Sequence, residues 1–237
     1  VSCCPFFVPP PHLTIRSLLL TLVPVKVLVT AGPTREPIDP VRFLSNRSSG
    51  KMGYALAEAF IKAGHSVLLV SGPTHLDVPD HVDFLPVETA AEMHQAVGSY
   101  IGRMDVAVFV AAVADYTPAH VEPHKIKKSG DTLTLELVRT PDILGSARGP
   151  FNFKGTLIGF AAETENVEAN ARAKLMSKEC DLVIGNDVSR KDMGFDSENN
   201  QVILVYPDRV VSLPADTKHH LAHHLVDAII EIHTLKS

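Results

Sequence analysis

The chain predicts an α/β fold: a mostly parallel sheet with helices on both faces and a few added antiparallel strands. Three observations carry this. Apolar runs of strand length, such as Val27-Leu28-Val29 and Val106–Val110, recur along the chain, as strands covered on both faces require. Stretches of helical length and periodicity lie between them. The first apolar run breaks at Ala31-Gly32-Pro33, where glycine permits angles a strand does not hold and proline has no N–H for a ladder.

Taken in order, the strand Val27–Thr30 leads into a long polar loop, 34–49. That loop ends in Ser48-Ser49-Gly50-Lys51-Met52-Gly53, and an amphipathic helix over 50–63 stops at Gly64. Ser66–Val70 is the next strand, closed by the turn Ser71-Gly72-Pro73, and Val82–Val87 is another. Thr89, with Glu92 three residues on, is a capping box for a helix that runs to Ile101. The strand Val106–Val110 then delivers Ala111–Tyr116 to the carboxyl edge of the sheet, where open α/β sheets place ligands. Thr117–Asp131 has Pro118, Pro123, Lys125, Lys127, Lys128, Ser129 and Gly130 with little periodicity, and reads as a mobile basic flap. There follow a strand at Thr132–Val138, a turn at Pro141-Asp142, a strand at Leu157–Ala161, a helix at Glu165–Glu179 and a strand at Asp181–Ile184. Gln201–Tyr206 and Val210–Leu213 frame the turn Pro207-Asp208-Arg209, and a last helix runs from Asp216 to His233. The succession is Rossmann-like. Residues 25–237 read as one domain behind an extension of unknown role over 1–24.

With 237 residues, 45% of them hydrophobic, the chain can bury one sizeable core. A net charge of −5 argues against nucleic-acid binding, which needs a basic footprint. Cys3, Cys4 and Cys180 make neither a disulfide framework nor a C-x-x-C pair, which points to a reducing, cytoplasmic compartment. Residues 1–24 lack a basic leading region, and Leu18–Val23 is too short to span a bilayer, so no membrane segment is expected.

A helix beginning at Ser48–Gly53 has unpaired N–H groups and a positive dipole end beside small residues, which makes residues 46–53 a candidate anion site. Neither G-x-G-x-x-G nor G-x-x-x-x-G-K-[ST] is present, because Met52 follows Lys51. Asp115, at the end of an apolar strand, is a functional candidate because a lone buried charge is costly. Lys174 and Lys178 share one helix face at i, i+4, where like charges repel unless an anion lies between them; they either project into water or bind phosphate. Phe160, ending a strand at the same edge, could stack on a base or fill the core. His219, His220, His223 and His224 have two-histidine metal spacing but no third ligand, so a solvated helix face is expected. Cys180 is expected to pack where helix meets strand.

Several blocks, in order, closely resemble the phosphopantothenoylcysteine synthetase family of coenzyme A biosynthesis. They are Ala31-Gly32-Pro33-Thr34-Arg35-Glu36, Asp39-Pro40-Val41-Arg42, Ser45–Gly53, Ala111–Tyr116, Lys125-Ile126-Lys127-Lys128, Pro141-Asp142-Ile143-Leu144, Gly159–Thr164, Asn186-Asp187-Val188-Ser189 and Phe195–Asn200. The resemblance covers residues 26–233. Arg47 stands where histidine is frequent, and Leu144 replaces a valine.

The resemblance implies a nucleotide site of Asp115, Lys125, Pro141, Asp142, Ile143, Leu144, Phe160, Lys174 and Lys178, with Asp115 near a Mg²⁺ ion. It implies that Asn46 turns over the activated intermediate, donating an amide N–H to the developing oxyanion, and that Arg42 holds the phosphate of 4′-phosphopantothenate across a homodimer interface. The implied reaction uses CTP to activate the acid and L-cysteine to capture it, with Asn46 and Lys125 as the catalytic pair. CTP in place of ATP is implied by Lys174, Lys178 and Phe160. A decarboxylase half like that fused in many bacteria is not seen, so a separate flavin-dependent decarboxylase is the expected partner in the pathway. Two rivals are weighed. A nicotinamide-dependent reductase would want the glycine fingerprint, an acid ending the second strand, which here ends at Ser71, and a Tyr-x-x-x-Lys pair; all are absent. A non-catalytic nucleotide-binding module would keep the phosphate loop without needing Asn46.

Overall fold

The computed structural model describes residues 24–128, 130–187, 197 and 199–237. Residues 1–23 with Cys3 and Cys4, the flap's Ser129, and Val188, Ser189, Phe195, Asp196 and Glu198 of the resembling blocks lie outside the described residues.

The strand β1 (Lys26–Ala31) leads into a small hairpin, β2 (Arg35–Pro37) with β3 (Phe43–Ser45), and then into helix α1 (Lys51–Lys62). Next come β4 (Ser66–Ser71), β5 (Asp83–Pro86) and α2 (Ala90–Tyr100). After β6 (Val106–Phe109) a second hairpin, β7 (Tyr116–Pro118) with β8 (Leu137–Arg139), precedes the short helix α3 (Ile143–Arg148). Then follow β9 (Thr156–Glu163), α4 (Val167–Ser177), β10 (Leu182–Asp187), β11 (Asn199–Asn200), β12 (Val202–Val205), β13 (Val210–Ser212), β14 (Asp216–Thr217) and α5 (Lys218–Lys236).

The main sheet runs β13-β12-β10-β9-β6-β1-β4-β5. Its six strands from β5 to β10 are parallel, and β12 and β13 add antiparallel pairs at one edge. The chain steps outward from β1 to β4 and β5 and then returns to the other side at β6. The order therefore reverses between β1 and β6, which is where such sheets bind ligands.

Strand alternation divides the core into two layers. Val27, Val29, Val106, Val108, Ile158, Leu182 and Ile184 face α1 and α5, where Leu56 and Phe60 meet Leu221, Leu225 and Ile229. Leu28, Ala107, Leu157 and Val183 face α2, α3 and α4, against Met93, Val97, Ile143, Ala171 and Leu175. Each such aliphatic or aromatic side chain contributes about 1.5–3 kcal/mol by leaving water. Cys180 is buried in the second layer, where burial pushes its thiol up to about 12, so it packs as an inert apolar group.

The expected strand at 132–138 is the clearest correction. Only Leu137–Arg139 is extended, and it pairs with β7 in a hairpin outside the main sheet. The long polar loop expected at 34–49 contains the β2–β3 hairpin. The expected turn at Pro141-Asp142 opens a helix, because the Asp142 carboxylate accepts from the Gly145 N–H at 2.8 Å and caps α3. The capping box at Thr89 and Glu92 forms as the spacing predicts. His219, His220 and His224 are exposed, and His219 lies 3.5 Å from Glu58. Among the described residues no helix is long and apolar enough to cross a membrane.

One guanidinium fastens the amino-terminal edge. Arg148 donates Nε to the Glu179 carbonyl (3.1 Å), Nη1 to the carbonyls of Phe153 (2.8 Å) and Gly155 (2.9 Å), and Nη2 to Asp181 (2.9 Å). Arg148→Ala leaves those acceptors short of donors at a largely buried site and is expected to cost about 2–3 kcal/mol. The loss should read as a lower urea midpoint with an unchanged slope; a midpoint equal to that of the parent chain would show the clamp to be idle.

Candidate functional site

Parallel strands leave the peptide groups beyond their carboxyl ends without a ladder. Two threonines supply the missing partners at the switch point. The Thr30 hydroxyl accepts from the N–H groups of Val110 and Ala111, both at 3.2 Å, and the Thr34 hydroxyl accepts from the Ala114 N–H at 3.0 Å. Backbone bonds join the same loops: Ala112 N–H to Gly32 (2.9 Å) and Thr34 N–H to Ala112 (3.4 Å). The β2–β3 hairpin is bolted alongside. The buried Glu36 carboxylate accepts from the Ala90 N–H at 2.9 Å, at the positive end of α2, and Arg35 N–H reaches the Glu88 carbonyl at 2.8 Å.

Asn46 closes this frame. Its amide nitrogen donates to the carbonyls of Ala112 (3.1 Å) and Val113 (3.0 Å), so the nitrogen's two hydrogens are committed to the backbone. What Asn46 can offer a ligand without breaking those bonds is its amide oxygen, an acceptor. The expected donation of an amide N–H to an oxyanion would require one of these two bonds to be exchanged.

Beside it, α1 begins at Gly50, in the left-handed region at φ 79°, with no side-chain cap and no acidic residue in its first turn. Gly50, Lys51, Met52 and Gly53 line the cleft, so the positive end of this helix lies at its wall, where the anion-site reading puts it. Gly53 lets the helix lie against β1, since a Cβ there would sit 2.6 Å from that of Ala31.

The opposite wall is the turn into α3. Lys178 forms an ion pair with Asp142, and Lys174 donates to the Phe160 carbonyl at 2.9 Å. Each ammonium thus has a protein partner of its own, which a phosphate of the kind the spacing allows would have to replace. Burial pushes the Asp142 carboxyl up, but Lys178, the Gly145 N–H and Lys174 together outweigh it and hold it below its ordinary value. Phe160 is half-buried, packed on the core and facing the cleft.

These walls enclose a cleft of about 810 Å³. Asn46, Asp115, Pro141, Asp142, Ile143, Leu144, Phe160, Lys174 and Lys178 all line it. Lys125 and Arg42 do not. Lys125 is exposed, and Arg42 turns to Asp39 and to the Ile126 carbonyl (3.1 Å), beside Lys125. Of the other cleft residues, Asn200 stood in a resembling block without a role, and Arg139 and Lys218 carried no distinctive signal in the chain, Lys218 being only 6% exposed in the first turn of α5. The Asn186 amide oxygen is buried there without a hydrogen-bond partner among the described residues.

Comparison with known proteins agrees with this architecture. Residues 22–232 match the DNA/pantothenate metabolism flavoprotein C-terminal domain. The chain is 45% identical over 209 residues to the coenzyme A biosynthesis bifunctional protein CoaBC of Escherichia coli strain K12, covering 87% of this chain and 52% of that protein. It is 49% identical over 183 residues to CoaBC of Bacillus subtilis strain 168, covering 77% of this chain and 45% of that one. The chain thus spans about half the length of the curated relatives it matches. A crystal structure of the C-terminal domain of a CoaBC protein superposes with a TM-score of 0.76 at 43% identity, covering 90% of this chain and 97% of that one. A structure of Cab2 with phosphopantothenate-cysteine, at 21% identity and a TM-score of 0.72, shares the fold. With the match running through β1 to α5, the chain belongs to the family of the DNA/pantothenate metabolism flavoprotein C-terminal domain.

Proposed function

We propose that this chain is a phosphopantothenate–cysteine ligase that uses CTP. The observation that carries the reading is the single cleft that gathers Asn46, the start of α1, Asp115, the 141–144 turn, Phe160 and two lysines at the sheet's switch point. Its volume lies in the range of ligand pockets. The neighbours support the class: full-length relatives are coenzyme A biosynthesis proteins, and a structure of the same fold holds phosphopantothenate-cysteine.

A carboxylate does not react with an amine at neutral pH until its oxygen is made a leaving group. In the first step the carboxylate oxygen of 4′-phosphopantothenate attacks the α-phosphorus of CTP, and pyrophosphate departs with the bond's electron pair. In the second, the amine of L-cysteine attacks the acyl carbon, CMP leaves and the amine gives up a proton. The start of α1 and the cleft lysines are suited to the polyphosphate charge, because preorganised dipoles and cations cost little reorganisation. Lys174 and Lys178 would release their protein partners to it. Asn46, held by Ala112 and Val113, would present its oxygen to the hydrogens of the attacking amine. Asp115, an exposed carboxylate on the cleft wall, fits Mg²⁺, which takes one or two carboxylates beside substrate phosphates and would neutralise phosphate oxygens there.

The site would be completed by a second copy. Val41 and Phe43 on the first hairpin, and Tyr116, Leu137 and Val138 on the second, are exposed apolar side chains at 42–59%. Such a patch is the kind that association covers. Arg42 lies on the first of these hairpin units and Lys125 is fastened beside it, so in a homodimer both would be offered to the partner's cleft.

Three outcomes test the reading. Incubation with 4′-phosphopantothenate, cysteine, CTP and Mg²⁺ should give the ligated product by mass; its absence under conditions that support a known relative would sink the assignment. Pyrophosphate release should be faster with CTP than with ATP, and equal rates would remove the CTP claim. Asn46→Asp sets a carboxylate against two carbonyl oxygens. It should still release pyrophosphate, while ligated product falls about 10²-fold, the order expected when a reacting group is misplaced.

A further inference from the structure

Asp39 carries a carboxylate that the reaction scheme above does not use. Only 3% of the residue is exposed, yet it is not a lone buried charge. Its Oδ1 accepts from the N–H groups of Val41 (2.8 Å) and Arg42 (3.0 Å), closing a turn within the first hairpin. Its Oδ2 accepts from Arg42 Nε (3.0 Å), from Arg42 Nη2, and from the backbone N–H of Ile126 at 3.1 Å. Arg42 Nη2 also donates to the Ile126 carbonyl at 3.1 Å. One residue of the basic segment thus has both of its peptide polar groups taken by the Asp39–Arg42 pair. A second fastening, Glu122 N–H to the Ile38 carbonyl at 3.0 Å, lies four residues earlier.

The turn needs only Oδ1, and an asparagine would close it equally well. The second oxygen is what requires a carboxylate, since three donors converge on it. The Arg42 guanidinium holds the Asp39 carboxyl well below the usual carboxylate range, against the opposing effect of burial. A depressed carboxyl keeps its partners above its unfolded-state value and loses them only as pH falls through the folded one, so the fastening is intact at neutral pH. With Asp39 holding one edge, the Arg42 side chain is still 42% exposed. It is oriented without being consumed.

We propose that Asp39 is a positioning residue of the ligation: its single carboxylate sets the guanidinium of Arg42 and the backbone of Ile126 together. The cation offered to the substrate's phosphate and the Lys125 ammonium offered to the nucleotide are then placed as one unit. The roles of those two ligands rest on the ligase reading; the fastening itself does not.

Asp39→Asn is the direct test, because it keeps an oxygen for the turn and sets an NH₂ group against the donors that Oδ2 receives. Trypsin cuts at the Lys125–Ile126 peptide, whose N–H is the one held. In the full chain without substrates the variant should be cut there about 10-fold faster, the ratio expected when a charge-assisted bond is lost from the closed state. Its melting temperature should fall by only a few degrees. KM should rise about 10-fold for both 4′-phosphopantothenate and CTP, with a smaller change in kcat. A lower melting temperature with unchanged cleavage at Lys125, or a KM rise for only one of the two ligands, would overturn the proposal. The wild-type chain gives an arm independent of any variant's folding: the Ile126 amide should exchange its hydrogen more slowly than those of Lys127 and Lys128, and equal exchange would refute the fastening. If the wild type makes no ligated product, the ligase reading and the positioning role fall together, while proteolysis and exchange still decide whether Asp39 holds the segment.

Discussion

The constraint on which the site depends is the meeting of β1 and β6 at the sheet's switch point. Beyond their last full rungs the two loops stay joined through Gly32, Thr34 and Ala112, with Pro33 opposite Ala112, and any peptide N–H left outside that pairing, buried and unpaired, would cost about 1–3 kcal/mol. Thr30 and Thr34 take three such groups on their hydroxyls. A valine, which fits a strand as well, would fill the same space at either position and accept nothing. The cleft is thus made by strand order and kept by two side chains that touch no substrate in the scheme above.

Thr89, Asp142 and Thr217 cap α2, α3 and α5 with side-chain acceptors, whereas α1 and α4 begin at Gly50 and Asn166, both in the left-handed region and without a side-chain cap; of these two starts it is that of α1 that lines the cleft. A missing N-cap side chain costs roughly 0.5–2 kcal/mol of helix stability relative to Ser, Thr, Asp or Asn. Here the loss is offset by the packing of Leu56 and Phe60 into the layer shared with α5, each side chain contributing about 1.5–3 kcal/mol.

The sheet and its covering helices were legible because their signals are local and periodic: apolar runs of strand length, the Thr89 and Glu92 box, and Gly64 ending a helix. The small hairpins were not, since β2, β3, β7 and β8 are three-residue pairings made by tertiary contact, and Thr132–Leu135 carries strand-like residues that no partner strand receives. Of the site residues, those at strand ends and helix starts could be placed from the chain, because topology alone sends them to the sheet's edge. Partnerships could not. Nothing in the spacing of Asp39 and Ile126, or of Asp142 and Lys178, says that they touch. Glu36 and Asp39 stood within the resembling blocks without a role, since a buried carboxylate reads in a sequence like any solvated acid.

The two cleft lysines and Arg42, which lies outside the cleft, differ in what it takes to free them. Lys178 and Asp142 are 28% and 56% exposed in their side chains, and such ion pairs contribute about 0–1 kcal/mol. Exchange of Asp142 for a phosphate oxygen is therefore within reach of ordinary ligand binding. Lys174, on a backbone carbonyl, gives up a neutral acceptor for a charged one, and hydrogen bonds to ionised groups are the stronger. Arg42 is bound otherwise, because its partner Asp39 is wholly buried in its side chain and would be left with an unpaired charge if the guanidinium moved away. In the proposed reaction the lysines would change partners, and the arginine would stay where its carboxylate holds it.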